Sequence, residues 1–408
     1  MMRHVKNAGH GGLTGNPWPR QGVAFESDSV AKGPTAKSAG DRPAPRVSVV
    51  MPVHNGVPYL TPALDSIARQ TFRDFEFIVI NDGSTDATAE ILAAYATHDR
   101  RLRIVTLPQN RGIVAALNDG LDVARGEFIA RMDADDIALA ERLERQVEFL
   151  DAHPDHVMVG SSCSFIDSIG RVTFKDTYWR EVAHWELDWI AHFFAAMLHP
   201  TVMFRGAPVR DNAQRYEEHC RNAEDMDFFA RLLMQGKGAL LREPLLQVRR
   251  LSSGLTVKSF MEQKRVAAAI AVDYLTLRYP HLAARSQAIP IVAGMLQRQG
   301  LPADLSLPEA FEAITLIEQH FLRGHDLRPQ QRRRIHCLTA FWLLWGILQA
   351  GRMRPSWEML TMLWRGRRYW RLFAVEAGAI GLRHAGFALR RPRQARAEPL
   401  DEVSCASG

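Results

Sequence analysis

The sequence has few cysteines, and it lacks the spacing that would let them bind zinc or form a disulfide framework. None of the four lies in a CxxC pair, and they are widely separated along the chain: Cys163, Cys220, Cys337 and Cys405. Scattered cysteines of this kind argue against a structural zinc site and favour a reducing compartment. The cysteine content therefore predicts a cytoplasmic protein.

Long hydrophobic runs are also missing. The segment from Met1 to Arg46 has no apolar stretch of the kind that forms the core of a secretory signal. The longest apolar candidate elsewhere, Leu338 to Ala350, contains a glutamine and falls short of the roughly 18 apolar residues that a membrane span needs. We therefore expect a protein that stays in the cytoplasm, either free or resting on the inner face of a membrane.

The glycine-rich phosphate loops of common nucleotide-binding enzymes are absent as well. No GxGxxG motif follows a predicted strand, and no GxxxxGK[ST] motif occurs. These motifs bind phosphates through backbone N–H groups in dinucleotide-binding proteins and P-loop proteins, respectively. Their absence removes the main support for a dehydrogenase or a P-loop enzyme.

Positive charge is in excess and is concentrated near the C-terminus. The 408 residues have a formal net charge of +6 and a pI near 9.3. The C-terminal stretch contains a cluster of arginines: Arg352, Arg354, Arg365, Arg367, Arg368, Arg371, Arg390, Arg391 and Arg393. Such a cluster either attracts an anionic surface or forms a solvated helical face. We expect no nucleic-acid partner and leave peripheral contact with a membrane open.

Aromatic residues alternate with these arginines between about residues 339 and 389. They include Trp342, Trp345, Trp364, Tyr369 and Trp370. Tryptophan and arginine together are typical of helices that lie in a membrane interface. The same pattern also suits an ordinary helical domain with the aromatic rings in its core, and the sequence leaves both interpretations open.

Changes in composition divide the chain into four parts. Residues 1–45 are rich in Gly, Pro, Ser and basic residues and are predicted to be disordered. Residues 46–254 alternate strand and helix patterns, residues 255–389 have helical periodicity, and residues 390–408 form a polar tail. With 47% hydrophobic and 24% charged residues, the chain has the composition of a folded globular protein.

Within residues 46–254, strands and helices alternate at the spacing of βαβ units. Continuous apolar runs predict buried strands at 46–52, 75–82, 102–107 and 127–136. Helical patterns lie between them, at 58–70, from Thr85 or Asp86 to about His98, and at 113–125. The alternation predicts an α/β fold with a mostly parallel central sheet and flanking helices.

All four predicted strands end in polar loops, and two of these loops are acidic. The loops are Pro52–His54, Asn81–Asp86, Asn110–Gly112 and Asp133–Asp136. The C-terminal ends of parallel strands meet at one edge of the sheet, where ligands bind in open α/β folds. Carboxylates two residues apart, as in Asp133 and Asp135, suit a hard divalent cation that also binds substrate phosphate oxygens. We therefore predict Mg²⁺ or Mn²⁺ and a diphosphate ligand at this edge.

Two long segments carry a family resemblance. They are VSVVMPVHNGVPYLTPALDSIARQTFRDFEFIVINDGSTDATAEIL and NRGIVAALNDGLDVARGEFIARMDADD, and they resemble glycosyltransferase family 2. The resemblance is dense from Val47 to Val159 and weaker to about Arg250. It implies a GT-A type fold and an inverting transfer of a sugar from a nucleotide diphosphate, with a UDP-sugar favoured. The implied acceptor is a hydroxyl of a saccharide or of a lipid-linked molecule, in surface polysaccharide or glycolipid synthesis.

The resemblance assigns roles on the nucleotide side residue by residue. It matches Asp82 to the aspartate that hydrogen-bonds the nucleobase, and it places Pro52 and His54 beside the nucleotide. Many relatives have Tyr or Cys where this chain has His54. Asp82 and Asp86 also have a simpler interpretation as helix-capping residues, and for Asp86 capping is the interpretation we favour.

The acidic loop after the fourth strand receives the metal-binding role. The resemblance matches Asp133 and Asp135 to a DxD pair, with Asp135 as the metal ligand and Asp133 nearer to the ribose or a sugar hydroxyl. Asp136 is expected to support this pair from behind. The alternative is a solvated acidic turn in which Asp136 caps the next helix.

An inverting transfer also needs a base that takes the proton of the attacking hydroxyl. The resemblance maps this base to Asp225 in NAEDMDFFARLL, with Glu224 beside it on the acceptor side. The alternative is that these acids only stabilise a helix N-terminus. His199, which precedes a strand predicted at 201–205, is expected to line the acceptor pocket, although a loop histidine is more often structural.

Two other classes of function remain as alternatives. A nucleotidyltransferase shares the parallel sheet and the metal, but it needs a loop rich in Gly and Arg or Lys after the first strand, which HNGVPYL does not provide. A non-catalytic module that binds sugar nucleotides or membranes would not need the acidic residues. Because fold alone does not separate these classes, the site residues must decide.

Overall fold

The computed structural model describes residues 43–175, 182–251, 260–283 and 307–349, together with Ile289, Val292 and Ala293. The polar tail predicted at 390–408 and nearly all of the segment predicted to be disordered at 1–45 lie outside the described residues. Within them, a sheet covered by helices is followed by a group of further helices.

One sheet contains the nine strands of the described residues. They are β1 (Val47–Val53), β2 (Phe75–Asp82), β3 (Leu102–Leu107), β4 (Phe128–Arg131), β5 (Ile137–Ala138), β6 (His156–Ile166), β7 (Val172–Lys175), β8 (Met203–Arg205) and β9 (Lys237–Arg249). The strand order is β3-β2-β1-β4-β8-β6-β9-β5, and β7 pairs with β6. Strands β1 to β4 are mutually parallel, whereas β8 runs antiparallel to β4 and β6. The α/β fold with flanking helices is confirmed, and the sheet becomes mixed beyond β4.

Helices flank this sheet and continue after it. They are α1 (Leu60–Ala68), α2 (Thr88–Ala96), α3 (Ile113–Val123), α4 (Arg142–Ala152), α5 (His184–Ala191), α6 (Ala207–Asp211), α7 (Glu224–Leu233), α8 (Phe260–Arg278), α9 (Pro280–Ala283), α10 (Leu307–Gly324) and α11 (Pro329–Gln349). Short 3₁₀ turns occur at His199–Thr201 and Glu218–Cys220.

The central strands β1 and β2 are buried along their whole length. Every residue of both strands is buried, which explains their continuous apolar sequences, because a parallel strand covered on both faces has no solvent side. Met51 and Val79 belong to the same apolar cluster as α1, while Val50 and Ile80 pack with α3 on the opposite face. The C-terminal ends of β1 and β2 are therefore held level at one edge of the sheet.

The fourth strand is shorter than the sequence pattern predicts. Strand β4 ends at Arg131, and the acidic residues predicted as its extension lie in the loop that follows. After β4, the N–H of Met132 still donates to the carbonyl oxygen of Val50 at 3.1 Å. The chain then turns at Asp133, whose carbonyl oxygen accepts from the N–H of Asp136 at 3.4 Å. The strand predicted at 201–205 is also shorter, because Thr201 belongs to a 3₁₀ turn and β8 begins at Met203.

Helix α5 joins the sheet region to the later helices through a buried carboxylate. Asp188 is 1% exposed. Its Oδ2 lies 2.7 Å from Nη2 of Arg278 in α8 and 3.1 Å from Nε2 of His325, just after α10. The Tyr274 hydroxyl donates to Asp188 Oδ1 at 3.3 Å. A buried carboxylate is tolerated only with such partners, so these contacts fix how the later helices pack against α5.

Trp342 in α11 lies in the apolar core of this junction. It is 8% exposed, and its ring centroid lies 6.0 Å from that of Trp189, 5.5 Å from that of Phe193 and 5.2 Å from that of Phe194. For Trp342 the helical-core interpretation is therefore correct. Trp364, Tyr369 and Trp370 lie outside the described residues. No helix in the described ranges combines the length and apolar character that crossing a bilayer requires.

This packing predicts the effect of truncating Trp342. Because Trp342→Ala removes a large ring from a filled core, it should lower the free energy of unfolding by about 3–5 kcal/mol, as measured by chemical denaturation of the full chain. Met261→Ala is a matched control, because Met261 of α8 is 71% exposed and should change stability by less than about 0.5 kcal/mol. Equal stabilities for the two variants would contradict a core position for Trp342.

Candidate active site

The loop after β1 is bonded to the end of β2. Pro52 is buried in β1 opposite Ile80 of β2. His54 is exposed, and its ring Nδ1 lies 2.8 Å from the backbone carbonyl oxygen of Asp82. These contacts bring the first two predicted loops together at one edge. Contact of Pro52 and His54 with a nucleotide stays a prediction.

Asp82 holds the loop that precedes α3. Its side chain is 3% exposed, and its two carboxylate oxygens accept from the backbone N–H groups of Arg111 at 2.7 Å and Gly112 at 2.9 Å. Gly112 has a φ of +89°, a conformation that favours glycine. Asp82 thus orders the edge of the candidate nucleotide pocket, and its predicted contact with the nucleobase stays a prediction.

Two further polar residues of this edge have structural contacts. Asp86 accepts from the N–H of Thr88 at 3.0 Å and from the N–H of Val57 at 3.1 Å. Asp86 thus bonds the first backbone N–H of α2, although Ala87 occupies the capping position itself. Asn118 of α3 forms a pair of hydrogen bonds, each 2.9 Å, with the backbone N–H and carbonyl of Tyr216, so this helical asparagine ties α3 to the segment before α7.

Three carboxylates gather in the loop after β4. One oxygen from each of Asp133, Asp135 and Asp136 lies within 4.8 Å of the others. Asp136 is 1% exposed. Its Oδ1 accepts from the N–H of Arg249 at 2.8 Å, while its Oδ2 is buried without a hydrogen-bond partner in the described structure. Arg249 also donates to the carbonyl oxygen of Asp135 at 2.9 Å, so this arginine holds the acidic loop from the side of β9.

These carboxylates repel one another. Burial, followed by the charge of Asp133, raises the pKa of Asp135 to about 6. Burial and the charges of Asp133 and Asp135 raise the pKa of Asp136 well above its usual range. A divalent cation would relieve this repulsion and occupy the unsatisfied oxygen, and carboxylates are the ligands that Mg²⁺ and Mn²⁺ prefer. The residues present therefore fit the predicted cation.

Two buried arginines beneath the acidic loop were missed by the sequence reasoning. Arg131 is 5% exposed, and its Nη1 lies 2.5 Å from Oδ2 of Asp133. Arg142 of α4 is fully buried and donates from Nη2 to the carbonyl oxygen of Arg131 at 2.7 Å. The sequence does contain an indication for Arg131, because this arginine lies within an apolar run that predicts a buried strand. Arginine is almost never buried without a partner.

Helix α7 begins with a second group of carboxylates. Glu224 is 8% exposed and its Oε2 is buried without a hydrogen-bond partner in the described structure. Burial, followed by the charge of Asp225, raises the pKa of Glu224 to about 7. Burial also raises the pKa of Asp225, whose Oδ1 accepts from the N–H of Met226 at 2.8 Å. Stabilising the start of a helix does not require a buried carboxylate oxygen that lacks a hydrogen-bond partner, as in Glu224. The interpretation that these acids only stabilise the helix terminus therefore does not account for Glu224.

The acidic loop and the start of α7 act on each other electrostatically. The positive charge of Arg131 favours the ionised forms of both Glu224 and Asp225. The negative charge of Asp133 disfavours ionisation of Asp225. The end of β4 and the start of α7 are thus linked by charge. The role of Asp225 as the base and of Glu224 beside it stays a prediction.

His199 has a structural environment behind this space. It is 8% exposed, and its Nε2 lies 2.9 Å from the hydroxyl of Tyr216. Burial lowers the pKa of His199 well below its usual range, so the ring is neutral at neutral pH. The Tyr216 ring stacks on Phe228 of α7 with centroids 4.1 Å apart. His199 therefore supports the position of α7, and its predicted contact with an acceptor stays a prediction.

The model of the family described as Glycosyl transferase family 2 matches residues 48–204, a range that includes β1 to β4 and the acidic loop. Among solved structures, Staphylococcus aureus TarS 1–349 in complex with UDP-GlcNAc is similar, with 20% identity and a TM-score of 0.48 over 75% of this chain and 88% of that chain.

Curated relatives cover the same region at higher identity. EpsE from Bacillus subtilis, which is named as a glycosyltransferase, is 32% identical over 53% of this chain and 77% of its own length. The O-antigen biosynthesis glycosyltransferase WbnJ from Escherichia coli is 34% identical over 46% of this chain and 71% of its own length. Since both relatives are at least 30% identical and are covered over more than two thirds of their length, and the family model includes the acidic loop, the chain belongs to glycosyltransferase family 2.

Proposed function

We propose that this protein is an inverting glycosyltransferase that moves a sugar from a nucleotide diphosphate to a hydroxyl group of a saccharide or lipid-linked acceptor. The observation that carries the proposal is the gathering of the Asp133, Asp135 and Asp136 carboxylates in the loop after β4, where one oxygen of Asp136 is buried without a hydrogen-bond partner in the described structure. A role in surface polysaccharide synthesis is supported by the similarity to WbnJ, which is named for O-antigen biosynthesis.

The donor side of the proposal assigns the cation to the acidic loop. Asp135 would hold Mg²⁺ or Mn²⁺, with Asp133 and Asp136 beside it. When bound, such a cation binds the diphosphate and stabilises the charge of the leaving group. Asp82, Pro52 and His54 would border the nucleotide, and a uridine nucleotide is our proposed donor, since the family resemblance favours it.

The acceptor side of the proposal assigns proton transfer to Asp225. The acceptor oxygen forms a bond to the anomeric carbon while its proton passes to the Asp225 carboxylate. The bond from that carbon to the diphosphate oxygen breaks on the opposite face, and its electron pair leaves with the diphosphate. Attack from the opposite face inverts the configuration. Glu224 would contact the acceptor beside this base.

Removal of the base is the first test. Asp225→Asn should lower kcat by about 100- to 10,000-fold, because the amide cannot accept the proton, while the affinity for the nucleotide sugar stays unchanged. Turnover is measured with the nucleotide sugar that calorimetry in Mn²⁺ selects from a panel.

A second acid of the same helical turn provides the control for this test. Asp227 forms a buried ion pair with Arg231 at 2.5 Å, so Asp227→Asn should lower stability but retain turnover per folded molecule. Wild-type turnover in Asp225→Asn, or equal losses in both variants, would remove Asp225 from the chemistry.

The pH dependence follows from the raised pKa values of the pair. A base acts only when deprotonated, so kcat/KM should fall as the pH falls through the range set by Glu224, whose pKa is about 7, and Asp225. Glu224→Gln removes a neighbouring negative charge, which favours the ionised Asp225 and should move the acid limb of the pH–rate profile to lower pH. An unshifted acid limb in Glu224→Gln would show that the pair does not govern it.

Calorimetry tests the cation. Mn²⁺ should tighten nucleotide-sugar binding to the wild type, and Asp135→Asn should abolish most of this gain because it removes a charged ligand. Asp122→Asn is the control, since Asp122 lies on α3 and pairs with Arg215 at 2.7 Å, and it should bind as the wild type does. Equal affinity of the wild type in Mn²⁺ and in chelator would refute the cation site.

A further inference from the structure

The buried arginine at the end of β4 has no part in the steps described above. Arg131 is 5% exposed, and its Nη1 contacts Asp133 at 2.5 Å. Its Nε is also buried, without a hydrogen-bond partner in the described structure. Burying a guanidinium with an unsatisfied donor costs free energy. Packing alone therefore does not account for an arginine at this position.

The charge of Arg131 is paired with the acidic loop. Its buried Nη1 forms an ion pair with Oδ2 of Asp133. The same charge opposes the effect of burial on the pKa of Glu224 and of Asp225 at the start of α7. The ion pair with Asp133 is therefore the contact through which this buried cation acts on the loop.

The backbone around Arg131 is held from two directions. Its N–H donates to the carbonyl oxygen of Val202 at 3.0 Å, and its own carbonyl oxygen accepts from Nη2 of Arg142 at 2.7 Å. Arg142 is fully buried, and its Nε donates to Gln146 of the same helix at 3.3 Å. Because these supports are themselves packed, the guanidinium of Arg131 is a fixed point for its partners.

We propose that Arg131 is a positioning residue for sugar transfer, which holds the Asp133 carboxylate, and with it the acidic loop, at the end of β4. The inference rests on the proposed function, because it assigns to Arg131 the placement of the loop that would meet the donor diphosphate. Its effect should appear in kcat more than in the KM for the donor, since charge on the leaving diphosphate develops only during the chemical step.

Charge and shape are separated by two substitutions. Arg131→Met keeps a long apolar side chain but removes the charge, and it should lower kcat by about 100-fold, the loss typical of misplacing a reacting group by about 1 Å. Arg131→Lys restores the positive charge. Its kcat should therefore be at least about tenfold higher than that of Arg131→Met. Both variants are assayed for kcat and KM with the full chain, and their folding is checked by circular dichroism.

A half-buried arginine of the sheet serves as the control. Arg205 of β8 donates to the carbonyl oxygens of His156 and Leu150, each at 2.8 Å. It lies in register with Phe128, at the end of β4 away from the acidic loop. Arg205→Met should lower stability while leaving kcat per folded molecule unchanged, because its charge lies at the opposite end of β4 from Asp133.

Two results would overturn the inference. One is a wild-type kcat in Arg131→Met, and the other is a folded Arg131→Lys that is as slow as Arg131→Met. If Arg131→Met does not fold, Arg131→Lys decides alone: turnover close to the wild type supports the role of charge, and background turnover by a folded protein refutes it. Failure of the proposed function would give a different result, because the wild type itself would then show no sugar transfer.

Discussion

The close approach of carboxylates at the end of β4 is the constraint on which the rest of the site depends. One carboxylate oxygen from each of three aspartates lies within 4.8 Å of the others, and mutual repulsion would separate them in the absence of positive charge. The fold supplies part of that charge from inside, through Arg131 and the fully buried Arg142. The remaining repulsion, visible in the raised pKa of Asp135, is what makes the loop suited to a divalent cation.

Internal hydrogen bonds shape the edge on which this charge lies. Asp82 bonds the backbone before α3, Asp86 bonds the backbone before α2, and Asp136 bonds the backbone of Arg249. Each of these carboxylates orders a loop by accepting from backbone N–H groups that would otherwise lack partners. An acidic residue at a strand end therefore contributes to loop geometry here as well as to the charge that a ligand meets.

The later helices are built onto the catalytic half through α5. Asp188 provides a buried polar contact with Arg278 and His325, and Trp189 provides an apolar contact with Phe321 and Trp342. A buried carboxylate with specific partners favours one arrangement of the helices over others, because any shift leaves it unpaired. The described part of the helical region is thus packed against the transferase fold.

The sequence by itself determined β2 and β3, whose predicted limits, 75–82 and 102–107, match the structure. Each is an apolar run bounded by turn residues, and these residues mark where the strand begins and ends. Strand β2 is buried throughout, whereas β3 is partly exposed at the edge of the sheet. It also located the acidic loop and Asp225, because their motifs are local. Only the tertiary structure decided that β4 stops at Arg131, that His199 bonds Tyr216, and that Arg142 of α4 bonds the backbone of Arg131. Those features depend on charges and packing between residues distant in the chain, and no local pattern records such contacts.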